Sequence, residues 1–115
     1  MSITIYHNPR CTKSRQTLDL LKEKGVTPEV VLYLESPPDA AALKDLKAKL
    51  GLESARDMMR TKEAAYKDQG LKDVADEDAL IRAMAETPIL IERPIVVNRD
   101  KARIGRPPET VLEIL

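Results

Sequence analysis

Hydrophobic positions along the chain repeat with two different periods, and the order of these periods predicts the secondary structure. Ser2–Tyr6 alternates over a β-branched run and Glu29–Leu34 is almost wholly apolar, patterns that are typical of strands. Between them, a helix is predicted from Thr12 or Lys13 to Gly25. A strand, a helix and a strand of this length predict a βαβ unit with parallel strands and a right-handed crossover.

The middle of the chain is predicted to be helical. Leucines recur at helical spacing from Leu43 to Leu50, ahead of Gly51, and Ser36 before two prolines is predicted as the N-cap of this helix. Capping patterns and periodicity predict three further helices, over Ser54–Met59, Thr61–Gln69 and Asp76–Glu86. We therefore expect a helical block after the βαβ unit.

Short apolar runs return toward the C-terminus and predict strands over Ile89–Ile91, Ile95–Val97 and Ala102–Ile104. Too few residues separate the last two runs for a crossover helix, so we expect an antiparallel hairpin. Pro107 opens a last predicted helix that runs to Leu115. The order predicts an α/β fold. Its specific topology, a thioredoxin-like four-stranded mixed sheet with a helical insertion between the βαβ and ββα halves, depends on the family resemblance described below.

Composition narrows the class of protein. A chain of 115 residues with 43% hydrophobic and 33% charged residues predicts one globular domain over residues 1–115, with a monomer as the default. Short apolar runs exclude a membrane span, and zero net charge argues against a general nucleic-acid binder. One Cys and one His argue against a structural metal site. A lone thiol in a sequence without a secretion signal suits a reducing cytoplasm.

The balanced total hides an uneven distribution of charge. Residues 1–18 carry three bases and no acid, and residues 89–108 carry five bases against two acids, whereas residues 61–88 carry four bases against seven acids. If the two basic segments meet in space, they form a local pole that attracts anions. Scattered, solvated charge is the alternative.

Candidate chemistry is concentrated around the single thiol, Cys11, which is expected at the start of the first helix. Unpaired backbone N–H groups and the helix dipole favour a negative charge there. Arg10, Lys13 and Arg15 add cations, so we expect a thiol pKa below the ordinary value and a reactive thiolate. The same N–H groups suit a tetrahedral oxyanion. A small buried packing residue is the alternative, which the polar, basic neighbours disfavour.

Two nearby side chains have two interpretations each. His7 either tunes the thiolate or caps the end of the strand. Ser14 stands where a redox C-x-x-C pair has its second Cys; its hydroxyl either donates to the Cys11 thiolate or to an oxyanion, or belongs to an ordinary first-turn helix residue. Because a hydroxyl cannot attack a disulfide, a mixed disulfide at Cys11 needs an outside thiol.

Several motifs resemble the ArsC family, the thioredoxin-fold arsenate reductases coupled to glutathione and glutaredoxin. They occur in the family's order and spacing between Ser2 and the C-terminus: Tyr6-His7-Asn8-Pro9 with Cys11 and Ser14-Arg15, then Val31–Glu35, then Pro88–Val97 around Arg93-Pro94, then Arg106-Pro107. The resemblance implies that Cys11 is catalytic and that Arg60, Arg93 and Arg106 bind the oxyanion. The planar fork of N–H donors on arginine suits that task. His7, Ser14, Arg15 and Pro94 are expected in support, with a cis peptide at Arg93-Pro94 facing Cys11.

The resemblance also implies a reaction and its partners. A Cys11 thiolate–arsenate adduct would be resolved by glutathione as co-substrate and by glutaredoxin, with no bound cofactor. Arg10 stands where a small residue is expected, and Thr12-Lys13 replaces Gly-Thr. Two alternatives stay open: a monothiol glutaredoxin-like thiol transferase, which does not need three converging arginines, and an Spx-type redox regulator that binds RNA polymerase. The regulators usually carry a C-x-x-C switch, which this sequence lacks.

Overall fold

The computed structural model describes residues 2–115, which divide into two compact units. The first unit combines residues 2–36 with residues 93–115, and the second covers Pro37–Glu92. The interpretation of residues 1–115 as a single domain stays a prediction beside this division. None of the helices over residues 2–115 combines the length and the apolar composition that a membrane span needs.

The first unit is built on a mixed four-stranded sheet. Its strands are β1 (Ile3–Tyr6), β2 (Glu29–Val31), β3 (Ile95–Asn98) and β4 (Lys101–Ile104), in the spatial order β2-β1-β3-β4. β1 runs parallel to β2 and antiparallel to β3, and β3 pairs antiparallel with β4. The α/β, thioredoxin-like sheet expected from the sequence is therefore confirmed.

One face of this sheet is covered by helix α1 (Thr12–Glu23) and by the C-terminal 3-10 helix Pro108–Ile114. Buried apolar side chains from all three join in one cluster: Ile5, Leu21, Val96, Val111 and Ile114. Burial of such a side chain contributes about 1.5–3 kcal/mol. This packing holds the start of α1 against the sheet edge where β1 ends.

The second unit is helical, as the sequence predicts. It contains α2 (Ala40–Leu50), α3 (Ala64–Asp68) and α4 (Glu77–Glu86), with 3-10 turns over Ala55–Met58, Leu71–Asp73 and Pro88–Leu90. α2 packs on α4, and the buried side chains include Leu43 and Leu46 of α2 and Leu80 and Met84 of α4.

Two elements begin or end differently from the prediction. β2 stops at Val31 instead of Leu34, because the backbone N–H groups of Glu35 and Ser36 both donate to the Leu32 carbonyl at 2.9 Å and close a turn. The N-cap of α2 is Asp39, not Ser36. A residue before proline is disfavoured in helical geometry, so the cap moves past both prolines, and the Asp39 carboxylate accepts the Ala42 N–H at 2.8 Å.

The predicted strand Ile89–Ile91 is wrong. Pro88–Leu90 forms a 3-10 turn, because the N–H of Ile91 donates to the Pro88 carbonyl at 3.0 Å, and Ile91 makes only an isolated bridge to Met59. The helix predicted over Thr61–Gln69 is shorter than expected. A turn in which the Glu63 N–H donates to the Arg60 carbonyl at 3.1 Å delays its start to Ala64.

Candidate active site

The register of the sheet gathers three loops of the first unit at one edge. Tyr6, the last residue of β1, lies opposite Ile95, the first residue of β3, and Ile95 lies opposite Ile104, the last residue of β4. The loop to Cys11 leaves from Tyr6, Arg93-Pro94 leads into Ile95, and Arg106 follows two residues after Ile104. The two basic segments of the sequence therefore meet in space at this edge.

Cys11 is the N-cap residue of α1, with extended backbone (φ −93°, ψ 124°) and a partly exposed side chain. A turn places it there, since its N–H donates to the Asn8 carbonyl at 3.0 Å and the Arg10 N–H donates to the Asn8 side-chain oxygen at 3.0 Å. The Cys11 side chain does not cap α1. The backbone N–H groups of Ser14 and Lys13, in the first helical turn, are nonetheless close enough to lower the pKa of the thiol.

The Arg106 side chain contacts the sulfur. Its Nη2 donates to Cys11 Sγ at 3.5 Å, and its Nε donates to the Arg93 carbonyl at 2.9 Å. One guanidinium thereby links the loop before β3 to the thiol. The peptide bonds Arg93-Pro94 and Arg106-Pro107 are both cis. The predicted cis bond at Arg93-Pro94 is confirmed, and the one at Arg106-Pro107 was not predicted from the sequence.

The pKa of the Cys11 thiol lies below its ordinary value. Burial raises this pKa, but the backbone N–H groups of the first helical turn and two guanidinium groups lower it by more. The two guanidinium groups belong to Arg93 and Arg106. Arg15, one of the cations expected to lower this pKa, has other partners. It donates to the Pro9 carbonyl at 2.8 Å and to Thr12 Oγ1 at 3.2 Å, and so holds the loop in place.

Ser14 is fully buried and its hydroxyl does not serve the thiol. Ser14 Oγ lies 2.6 Å from His7 Nδ1 and accepts the Asn8 N–H at 3.0 Å, so it ties the end of β1 to the start of α1. Burial lowers the pKa of His7, and Arg15 and Lys22 lower it further, against a small opposite effect of Asp19. A neutral His7 is therefore favoured at neutral pH, as a partner of Ser14.

Gly105 is a site residue that sequence analysis missed. A Cβ at this position would lie 2.6 Å from Thr17 Oγ1 and 2.8 Å from Pro94 Cγ. Its N–H donates to the Pro94 carbonyl at 2.9 Å. Only a residue without a side chain lets the Arg106 loop approach α1 and Pro94 this closely.

The chain is similar to known proteins over almost its whole length. Residues 6–114 match the model of a family described as "ArsC family". The chain belongs to the ArsC family. An arsenate reductase of Neisseria meningitidis serogroup B (strain MC58) is 54% identical over 114 residues, which are 98% of this chain and 97% of the relative. A 64% identical protein of Escherichia coli (strain K12), named "Uncharacterized protein YfgD", is matched over 98% of this chain and 96% of its own length.

A solved structure confirms the fold of this ArsC-family chain. The arsenate reductase from Vibrio cholerae is 57% identical and superposes with a TM-score of 0.98, covering 100% of this chain and 98% of the other. Among residues 2–115, no group of three or more His, Cys, Asp and Glu side chains has the geometry to hold a metal ion.

Arg60, the third arginine implied by the family resemblance, belongs to the second unit. Its Nη2 pairs there with Glu63 Oε2 at 3.1 Å. The first unit brings together Cys11, Arg93 and Arg106, and the contribution of Arg60 to the site stays a prediction.

Proposed function

We propose that this ArsC-family chain is an arsenate reductase in which Cys11 is the nucleophile. The observation that supports it most directly is the 3.5 Å contact between Arg106 Nη2 and Cys11 Sγ. A permanently charged fork of N–H donors next to a thiolate stabilises both the attacking anion and an oxyanion bound against it. The relatives named arsenate reductase at 53–54% identity support the same activity.

In the first step, the Cys11 thiolate attacks arsenic in arsenate held by Arg60, Arg93 and Arg106. A sulfur–arsenic bond forms, one arsenic–hydroxyl bond breaks, and the departing hydroxyl takes a proton and leaves as water. Arsenic stays pentavalent. The arginines offset the negative charge on the remaining oxygens, which is where preorganised donors contribute most.

In the second step, the thiol of glutathione attacks the Cys11 sulfur. A sulfur–sulfur bond forms, and the electron pair of the sulfur–arsenic bond passes to arsenic, which leaves as trivalent arsenite after its oxygens are protonated. The two thiol sulfurs are oxidised to a disulfide, and arsenic is reduced by two electrons. Both electrons come from thiols, so the proposed reaction needs no bound cofactor.

The Cys11–glutathione disulfide then needs an outside thiol, because the sequence contains one Cys and the C-x-x-C position is Ser14. We assign this step to glutaredoxin, whose thiolate attacks the glutathione sulfur and returns Cys11 as a thiol. The reducing cytoplasm that a lone thiol suits would supply both partners.

Single-turnover mass spectrometry tests the proposal. Protein mixed with arsenate and glutathione, without glutaredoxin, should accumulate one glutathione on Cys11 together with one equivalent of arsenite. Cys11→Ser should form neither product while still binding arsenate, because an alcohol supplies almost no nucleophile at neutral pH. Arsenite formation by Cys11→Ser would refute the mechanism.

A matched reaction distinguishes the proposed arsenate reductase from the thiol-transferase alternative. A glutathionylated peptide replaces arsenate, and release of the peptide thiol is followed in wild type and in Arg106→Ala. An arsenate reductase should reduce the peptide slowly compared with arsenate. Full-speed peptide reduction by wild type and by Arg106→Ala, without arsenite formation, would favour the thiol transferase.

A further inference from the structure

Glu63 occupies the N-cap position of α3, yet its side chain makes no capping hydrogen bond. The carboxylate is turned toward Arg60, and Glu63 Oε2 lies 3.1 Å from Arg60 Nη2. Both side chains are 23% exposed, so the pair is only partly shielded from solvent. The acid therefore faces the one arginine of the second unit that the proposed function assigns to the oxyanion.

The backbone around Arg60 is held in place by a neighbouring segment. The Arg60 N–H donates to the Leu90 carbonyl at 2.8 Å, and the Glu92 N–H donates to the Met58 carbonyl at 2.8 Å. Met59 and Ile91 form an antiparallel bridge between these two bonds. With the backbone held from both sides, a change of partner at Arg60 needs only side-chain rotation.

We propose that Glu63 is an internal competitor that occupies the Arg60 guanidinium until the oxyanion replaces it, and thereby sets oxyanion affinity. The inference rests on the proposed function, in which Arg60 binds arsenate. Glu63 acts through Arg60 and touches no reacting atom, which makes it a positioning residue.

Glu63 either competes with the oxyanion for Arg60 or assists oxyanion binding by orienting the Arg60 side chain. The strength of the ion pair decides between these two effects. A partly exposed pair at i,i+3 spacing contributes little free energy, so its ability to orient Arg60 is small and the carboxylate is easily displaced. An arsenate dianion on the same guanidinium would, by contrast, lie close to a like charge. Removal of the Glu63 charge should therefore strengthen oxyanion binding.

Steady-state kinetics with arsenate, glutathione and glutaredoxin test the inference. Glu63→Gln should lower KM for arsenate about three- to tenfold and leave kcat within about twofold, because arsenate no longer has to displace a carboxylate from the Arg60 guanidinium. Asp68→Asn removes the same charge from the exposed end of α3 and should leave KM unchanged. In an Arg60→Ala background, Glu63→Gln should change nothing, because the group it competes for is gone. An unchanged or higher KM in Glu63→Gln, or the same decrease in the Arg60→Ala background, would overturn the proposal.

A binding measurement separates failure of this inference from failure of the proposed function. Titration calorimetry of sodium arsenate and sodium sulfate into Cys11→Ser needs no turnover, and adding Glu63→Gln should tighten both. Tighter binding without arsenate reduction by wild type would leave the competitor standing and refute the reductase. Arsenate reduction that depends on Arg60, with oxyanion binding unaffected by Glu63→Gln, would support the reductase and refute the competitor. Thermal melting of each variant confirms that only folded protein is compared.

Discussion

A thiol reacts as its anion, and the residues around Cys11 favour that anion without a general base. The backbone N–H groups of the first turn of α1 and the guanidinium groups of Arg93 and Arg106 outweigh the effect of burial on the Cys11 pKa. The Nδ1 atom of His7 is engaged with the Ser14 hydroxyl at 2.6 Å, so this ring nitrogen does not serve the thiol as a base. At the scale of single residues, electrostatic stabilisation explains the reactivity we expect.

The lowered pKa of Cys11 has a direct consequence for alkylation. The rate of reaction with iodoacetamide should rise with pH to a midpoint below about 8.5, the value of a free thiol. Arg106→Ala should move the midpoint upward, since it removes a cation 3.5 Å from the sulfur. Arg82→Ala makes the same chemical change on an exposed position of α4 and should leave the midpoint in place. A wild-type midpoint at or above the free-thiol value would contradict the account.

Arginine substitutions should affect catalysis more than folding. Arg93→Ala and Arg106→Ala are each expected to lower kcat/KM for arsenate by about 10²–10³-fold, as is typical when one preorganised donor to an oxyanion is removed. Lysine should restore only part of this loss, because a point charge lacks the planar fork of donors. Kinetics with Arg82→Ala as the control decide the matter. Wild-type values in either alanine variant would remove that arginine from the site.

His7 makes stability depend on pH. Burial lowers its pKa in the folded protein, while the unfolded chain takes up the proton near about 6.5. The unfolded state therefore binds more protons between the two pKa values, and stability should fall as pH decreases below about 6.5. Urea unfolding across this range should show a smaller loss in His7→Gln than in wild type. Equal losses would mean that His7 does not titrate as we expect.

At the scale of elements, the site depends on how closely α1, β3 and β4 approach one another. Gly105 and Thr17 meet at this junction, and the buried Thr17 hydroxyl donates to the Lys13 carbonyl at 2.8 Å. A glycine with an ordinary φ gives no local signal in a sequence. Its necessity comes from neighbours on two other segments, so sequence analysis did not identify it.

Gly105→Ala tests this junction. The new methyl group would overlap Thr17 and Pro94, so the free energy of unfolding should fall by about 1–3 kcal/mol, as for other overpacked sites. Arsenate reduction should fall as well, because Arg106 is the next residue. Adding Thr17→Ala removes one of the two overlaps and should recover part of the stability. Chemical denaturation gives the comparison, and a Gly105→Ala protein as stable as wild type would argue against the close approach.

Other elements show where sequence patterns are sufficient and where they fail. The period of apolar residues predicted α4 to within one residue at its start, because Asp76 and the inward leucine and methionine positions agree. It failed at Ile89–Ile91, where an apolar run fits a strand or a buried turn equally well and Pro88 favours the turn. Neither interpretation of Ser14 named its hydrogen-bond partner, because His7 is brought near only by folding.

At the scale of the whole molecule, the sheet register explains why residues far apart in sequence act together. Arg106 is 95 residues from Cys11, and the two meet because β1, β3 and β4 end or begin at one edge. Charge counts left convergence of the two basic segments as one of two interpretations, and only the ArsC resemblance named the arginines. The family match over residues 6–114 confirms that resemblance, and the role of Arg60 stays a prediction.

A coupled assay tests the central claim most directly. Protein is mixed with arsenate, glutathione, glutaredoxin, glutathione reductase and NADPH, and NADPH oxidation is recorded as arsenate is varied, with arsenite measured at the end. We expect saturable oxidation of one NADPH for each arsenite formed, lost on omission of glutathione or glutaredoxin and absent in Cys11→Ser. No arsenate-dependent NADPH oxidation by the wild-type protein, with the same reagents active on a known arsenate reductase, would contradict the account.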